Sequence, residues 1–303
     1  MSQDIAEKSR MYTTTTADVA GVRIFYREAG DASKPNIVLL HGFPSSSYEF
    51  HDLIPLLAAR FHVLAPDYPG MGHSDAPDST VLRPTFDDVA KVIEGFIDQR
   101  APGRVILYLY DIGGQIGLRF AAAHPERIAG LVFQNLTISL EGWNLERLKA
   151  YERIGGPETP DKLAEAEKLA TESRDKFLHQ TGARRPDALN PDNWAIDAHA
   201  FSIEASRVFM TRLLMNMPAN FPHYPEWIAY LKARQPKTLI VWEKTTLSSR
   251  PRPRKPSSKP CLQRTCAIST AVTSCSTSTP TRSPRRSSRR SPGRAPPGRE
   301  ICV

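Results

Sequence analysis

Residues 104–114, Arg-Val-Ile-Leu-Tyr-Leu-Tyr-Asp-Ile-Gly-Gly, decide the fold. Their first part is an almost unbroken apolar run, the pattern of a strand buried on both faces. The run ends at Asp111, and Gly113-Gly114 open a segment of helical period that continues to His124. A strand passing through a sharp turn into a helix lifts the turn side chain above the sheet. Glycine is needed beside it because the two backbones crowd, and the helix N-terminus favours an anionic carboxylate. Asp111 is therefore the candidate nucleophile. The plainer alternative is an aspartate that only caps the helix. No Gly-x-Ser-x-Gly occurs in the chain, so a serine nucleophile has no candidate.

Working outward, residues 22–29 alternate like an early strand. Residues 36–41, 61–67, 128–135 and 238–242 are further short apolar runs. Residues 50–60, 85–99 and 114–124 read as the helices between strands. Alternating strands and helices predict an α/β fold with a mostly parallel, doubly wound sheet. About a hundred residues without a strand pattern follow residue 136, which is too long for a loop. Two helical stretches, 160–182 and 197–217, lie within them. The expected division is a core over 1–136, an inserted helical cap over 137–235 and a last core strand over 236–244.

Composition breaks after Lys244. Residues 245–303 hold 13 of the 40 Lys+Arg and one of the 32 Asp+Glu, leaving 27 against 31 in residues 1–244. The tail thus carries +12 and the body −4. The tail also holds all four cysteines, nine prolines and 20 Ser+Thr, and no Phe, Trp or Tyr. Such a segment lacks the apolar residues to build a packed element, so disorder is expected there. A mildly acidic body without cysteine predicts a reducing, cytoplasmic setting, no disulfide framework and no nucleic-acid partner. No 18-residue apolar run and no apolar leader at the start are visible, so neither a membrane span nor a secretory signal is expected.

Two further motifs follow strands. His41-Gly42-Phe43-Pro44 follows the 36–41 run, and residues 66–75 (Pro-Asp-Tyr-Pro-Gly-Met-Gly-His-Ser-Asp) follow the 61–67 run. Alone, the first reads as an ordinary Gly-Pro turn; the second is turn-rich and is assigned no catalytic role.

With Asp111, these motifs in this order resemble the α/β-hydrolase superfamily over roughly residues 16–244. The nearest branch is that of epoxide hydrolases and haloalkane dehalogenases, which use an aspartate nucleophile. The resemblance implies attack by Asp111 on a small apolar electrophile, an epoxide or organohalide, giving an ester that a His-activated water hydrolyses. It implies an oxyanion hole from the backbone N–H groups of Phe43 and Ile112. His41, Tyr151 and Tyr224 become candidate pocket residues, the tyrosines because epoxide hydrolases protonate the epoxide oxygen from cap tyrosines. The small-molecule substrate and water are then the only partners, with no metal or cofactor. Departures accompany the likeness. Ile112 stands where haloalkane dehalogenases carry Trp and fluoroacetate dehalogenases carry Arg, and Phe43 where the former carry Asn. Leu109 is bulkier than is usual two residues before the nucleophile.

The family also needs an acid after the strand ending at Trp242 and a histidine near the C-terminus. All eight histidines precede residue 224, and Glu300 is the only acid after Glu243. Gln134 and Asn135 stand at the alternative acid position without a carboxylate. A +1 shift of the reading frame, with codons chosen within the degeneracy of the code, turns residues 245–285 into an acidic sequence of helical pattern. It places Asn-Asp directly after Lys244 and Gly-Gly-His-Phe further on, with the acid at the position of Thr246 and the histidine at that of Thr273. One deleted nucleotide after Lys244 is therefore expected. Three readings stay open: a hydrolase, a hydrolase fold disabled by the lost acid and base, and a binding protein acting through a genuine basic tail.

Overall fold

The computed structural model of the protein describes residues 12–173, 179–181, 183 and 185–242. The tail and the frame-shift expectation lie outside the described residues, as do Glu243 and Lys244.

Seven strands form one sheet: β1 (Thr13–Val19), β2 (Val22–Ala29), β3 (Asn36–Leu40), β4 (His62–Pro66), β5 (Val105–Tyr110), β6 (Ile128–Gln134) and β7 (Thr238–Val241). Their order is β1-β2-β4-β3-β5-β6-β7. β1 and β2 pair antiparallel, as do β2 and β4, and all other pairings are parallel. Three helices connect the core strands: α1 (Leu53–Ala58), α2 (Phe86–Arg100) and α3 (Ile112–Ala123).

The buried runs make a sheet covered on both faces. Along β3, Val38 and Leu40 join one hydrophobic cluster with Leu107, Leu109 and Ile116. Their neighbours Ile37 and Leu39 join the opposite cluster with Val63, Ala65 and Tyr108. This is the two-residue alternation of strand side chains. α2 starts where Thr85, in extended conformation, accepts a hydrogen bond from the Asp88 N–H at 3.1 Å.

β1 was not expected. Four exposed threonines begin it, so no apolar run marks it, and antiparallel pairing with β2 creates it. Residues 50–60 give only the short α1, preceded by a 3-10 turn at Ser47–Phe50.

Between β6 and β7 lie α4 (Leu145–Ile154), α5 (Pro160–Ser173), α6 (Asp192–Ser202), α7 (Glu204–Met215) and α8 (Tyr224–Arg234). The single helix expected over 197–217 is two helices. Ile203, extended at φ −78° and ψ 118°, breaks it and caps α7. Among the described residues, no helix is long and apolar enough to cross a membrane.

Candidate active site

Asp111 sits between β5 and α3 at φ 48° and ψ −118°. That conformation is unfavourable for any residue with a Cβ and costs on the order of 1–3 kcal/mol. Close packing around the turn sustains it. A Cβ on Gly113 would stand 2.3 Å from the Leu40 carbonyl oxygen, so only glycine lets α3 approach β3. The Asp111 N–H donates to the Gln134 carbonyl at 3.3 Å, and its carbonyl accepts from the Gly114 N–H at 3.1 Å.

Two backbone amides converge on the Asp111 carboxylate. The Phe43 N–H donates to Oδ1 at 3.1 Å, and the Ile112 N–H also hydrogen-bonds the carboxylate. These are the amides expected to form an oxyanion hole. The loop presenting Phe43 is held by Glu49, whose Oε2 accepts the Gly42 N–H at 3.0 Å, and its Phe43–Pro44 peptide is cis. Burial pushes the Asp111 carboxyl above its ordinary range, while the two N–H groups and the Arg147 guanidinium pull it back.

His41 has no exposed surface, so it braces this loop rather than lining a pocket. Its Nε2 accepts the Tyr68 N–H at 3.2 Å, so Nδ1 carries the proton and donates to the Gly42 carbonyl at 2.9 Å. The two rings stack with centroids 4.0 Å apart, and the Tyr68 hydroxyl donates to the His41 carbonyl. Burial lowers the imidazole pKa, which keeps it neutral. The neighbouring turn of residues 66–75 is framework as well. Its fully buried Asp67 accepts N–H bonds from Ser47 at 2.7 Å and His73 at 2.9 Å, and lies 3.8 Å from the buried Arg27 guanidinium.

Tyr151 and Tyr224, both from the helical segment, lie within electrostatic range of Asp111. Tyr224, 3 % exposed, accepts the Trp143 Nε1–H at 3.2 Å, and the Gln115 side chain lies beside it. Having accepted that bond, the hydroxyl still has its own proton to donate. Burial pushes its pKa up to about 12, and raises that of Tyr151 as well, so both are neutral donors at pH 7. Tyr151 packs edge-on against Trp143 at 5.5 Å.

Sequence reasoning missed Trp143, Gln115, Glu49 and Arg147. Gln115 had a signal, since it lies one helical turn after Asp111. Arg147 had one too, four residues before Tyr151 on α4.

No histidine is found beside Asp111 among the described residues. His51, His62, His124, His179 and His223 face Asp52, Glu28, Glu94, Asp197 and Asp87 respectively. His73 packs on Phe25, and His199 is exposed. At the end of β6, the Gln134 side-chain oxygen accepts the Tyr108 hydroxyl, and the buried Asn135 Oδ1 has no hydrogen-bond partner among the described residues. No group of three or more metal-ligating side chains assembles among the described residues.

Comparison with known proteins bears on the fold and the family. A family profile described as the alpha/beta hydrolase fold matches residues 35–244. An uncharacterized hydrolase of Saccharomyces cerevisiae is 30% identical over 232 residues, 73% of this chain and 77% of its own length. A haloalkane dehalogenase of Mesorhizobium japonicum is 31% identical over 198 residues, 64% of this chain and 61% of its own length. The alignment with a haloalkane dehalogenase of Mycobacterium marinum, 40% identical, spans 40% of that protein. The crystal structure of a haloalkane dehalogenase from Bradyrhizobium elkani superposes with a TM-score of 0.66 at 22% identity, over 77% of this chain and 81% of that one. The chain belongs to the α/β-hydrolase fold family.

Proposed function

We propose that the protein descends from hydrolases that form an aspartyl ester with a small epoxide and then cleave it with water. Asp111 attacks an electrophilic ring carbon. The new O–C bond forms as the ring C–O bond breaks, and the ring oxygen takes a proton from Tyr151 or Tyr224. Phe43 and Ile112 N–H groups hold the carboxylate in place and later bind the oxyanion of ester hydrolysis. The single observation carrying this reading is the Tyr224 hydroxyl, which accepts the Trp143 indole N–H and keeps its own proton for a leaving oxygen.

Hydrolysis of the ester needs a base. None stands beside Asp111 among the described residues, and no histidine follows residue 223 in the sequence. Without such a base the ester would persist. An organohalide is the second reading, favoured by the haloalkane dehalogenases among the sequence relatives. Against it, the indole of Trp143 is engaged by Tyr224, and Ile112 offers no side-chain donor to a halide.

Incubation with 1,2-epoxybutane or 1-bromobutane, followed by intact mass, separates the readings. The epoxide is expected to add its whole mass faster than the bromide adds a butyl group. Faster butylation would favour the organohalide, and sustained turnover without an adduct would refute a persistent ester.

A further inference from the structure

The helical segment is seated on the core unevenly. The end of α7 and the chain beyond it are fixed by buried contacts. Asn216 Oδ1 accepts the Phe86 N–H at 2.9 Å, and Oδ1 of the fully buried Asn220 accepts the Arg119 guanidinium at 2.8 Å. The Phe209 ring packs so closely on the 66–75 turn that a Cβ on Gly70 would stand 2.4 Å from it. α6 is held differently. At its start the Tyr48 hydroxyl accepts the Asn190 amide N–H and donates to Asp192 Oδ2, both at 3.3 Å. Its buried residues, Asp197, Ala200 and Phe201, lie in its second half, and its first turn has none. At its end the chain runs extended through Ile203, 45% exposed, before α7 begins.

The two sides of that contact differ in rigidity. Tyr48 stands on the 3-10 turn Ser47–Phe50, directly after the loop that carries Phe43 to Asp111. The turn is locked from below, with the Ser47 N–H on Asp67 at 2.7 Å and Glu49 on the Gly42 N–H at 3.0 Å. The Tyr48 ring stacks on His51 with centroids 4.4 Å apart and lies 5.5 Å from the Arg27 guanidinium. The ring is a fixed post, and its hydroxyl reaches across to α6. Two hydrogen bonds at the long end of the range, in competition with water, hold a helix start weakly. Segments held in that way open before those seated by buried contacts.

We propose that the leading half of α6 is a flap against the Phe43 loop, held shut by the Tyr48 hydroxyl, and that its opening admits substrate to Asp111. Tyr48 is the latch. It sets access and takes no part in bond-making at Asp111. The gating rests on Asp111 being the nucleophile; the flap itself does not.

Hydrogen exchange of the full chain, read by mass spectrometry, tests the flap. Tyr48→Phe keeps the ring, its stack and the Arg27 contact, and removes both bonds to α6. The amides of α6 are expected to exchange about five- to thirty-fold faster, the scale of one or two ordinary hydrogen bonds, while those of α7 stay unchanged. Asn190→Ala breaks one of the bonds from the other side, so Tyr48→Phe should add less in that variant than in the wild-type chain. Unchanged α6 exchange, an equal rise in α7, or full additivity overturns the proposal. Labelling of Asp111 by propylene oxide and by the bulkier styrene oxide tests the gate. Tyr48→Phe should raise the styrene oxide rate by up to the same factor and the propylene oxide rate less. Equal changes with both reagents overturn the gate while Asp111 remains the nucleophile. No label on Asp111 from either reagent overturns the nucleophile assignment and the gate with it, and the exchange result still decides the flap.

Discussion

The Phe43 N–H donates to Asp111 Oδ1 at 3.1 Å across 68 residues of sequence, joining the loop after β3 to the elbow after β5. β3 and β5 pair in parallel, with Leu40 opposite Leu109, so the two loops emerge side by side at one end of the sheet. The position of the Asp111 elbow beside the Phe43 loop follows from strand register.

The raised Asp111 pKa sets a sign for stability against pH. Its folded value lies above its unfolded one, near ~3.9. The carboxyl therefore contributes stability below the unfolded pKa, and that contribution is lost as pH rises through the folded value. At pH 7 the ionised group is a net cost. Asp111→Asn is expected to raise Tm by about 2–4 °C for each ~1 kcal/mol relieved, with the gain shrinking towards pH 3. A Tm gain of the same size at pH 3 and pH 7 would contradict this.

Tyr151 and Tyr224 are expected to act at the leaving oxygen. Replacing either with Phe should slow alkylation of Asp111 by 1,2-epoxybutane by about 10²-fold, within the range for a lost proton donor. Alkylation by 1-bromobutane should fall less, because bromide departure needs no proton. Equal losses with both reagents would place the phenols in packing instead.

Gly113 lets α3 touch β3. In Gly113→Ala the new methyl meets the Leu40 carbonyl oxygen at 2.3 Å, and neither backbone can give way easily. The expected loss is about 1–3 kcal/mol or more, read from urea denaturation, together with slower labelling of Asp111. A silent substitution would mean that the elbow is looser than its packing indicates.

Asp67 and Arg27 form a buried pair beneath the Phe43 loop, their side chains 0% and 6% exposed. Asp67→Ala strands the guanidinium and frees the Ser47 and His73 amides. A cost of about 3–5 kcal/mol is expected, measured by thermal unfolding.

The core and the elbow were legible because buried parallel strands are written as apolar runs, and Asp111 ends one of them. β1 was not, because its threonines face solvent and only pairing defines it. The break at Ile203 was hidden because residues on both sides keep helical period. His41 was misplaced as a pocket residue. Its position beside the loop was readable, but the stack and hydrogen bonds that bury it come from Tyr68, 27 residues away. Tyr151 and Tyr224 could be named as types and not placed, since helix packing alone decides which aromatic faces Asp111. The same packing brings in Arg147 and Trp143, which no motif marks.

The central claim is that Asp111 is the nucleophile. Digestion after exposure to 1,2-epoxybutane, with mass spectrometry of the peptide containing Asp111, tests it most directly. A stable addition of one whole epoxide at Asp111, absent from Asp111→Asn, is expected. An unmodified Asp111 alongside diol formation, or an adduct that persists in Asp111→Asn, would contradict it.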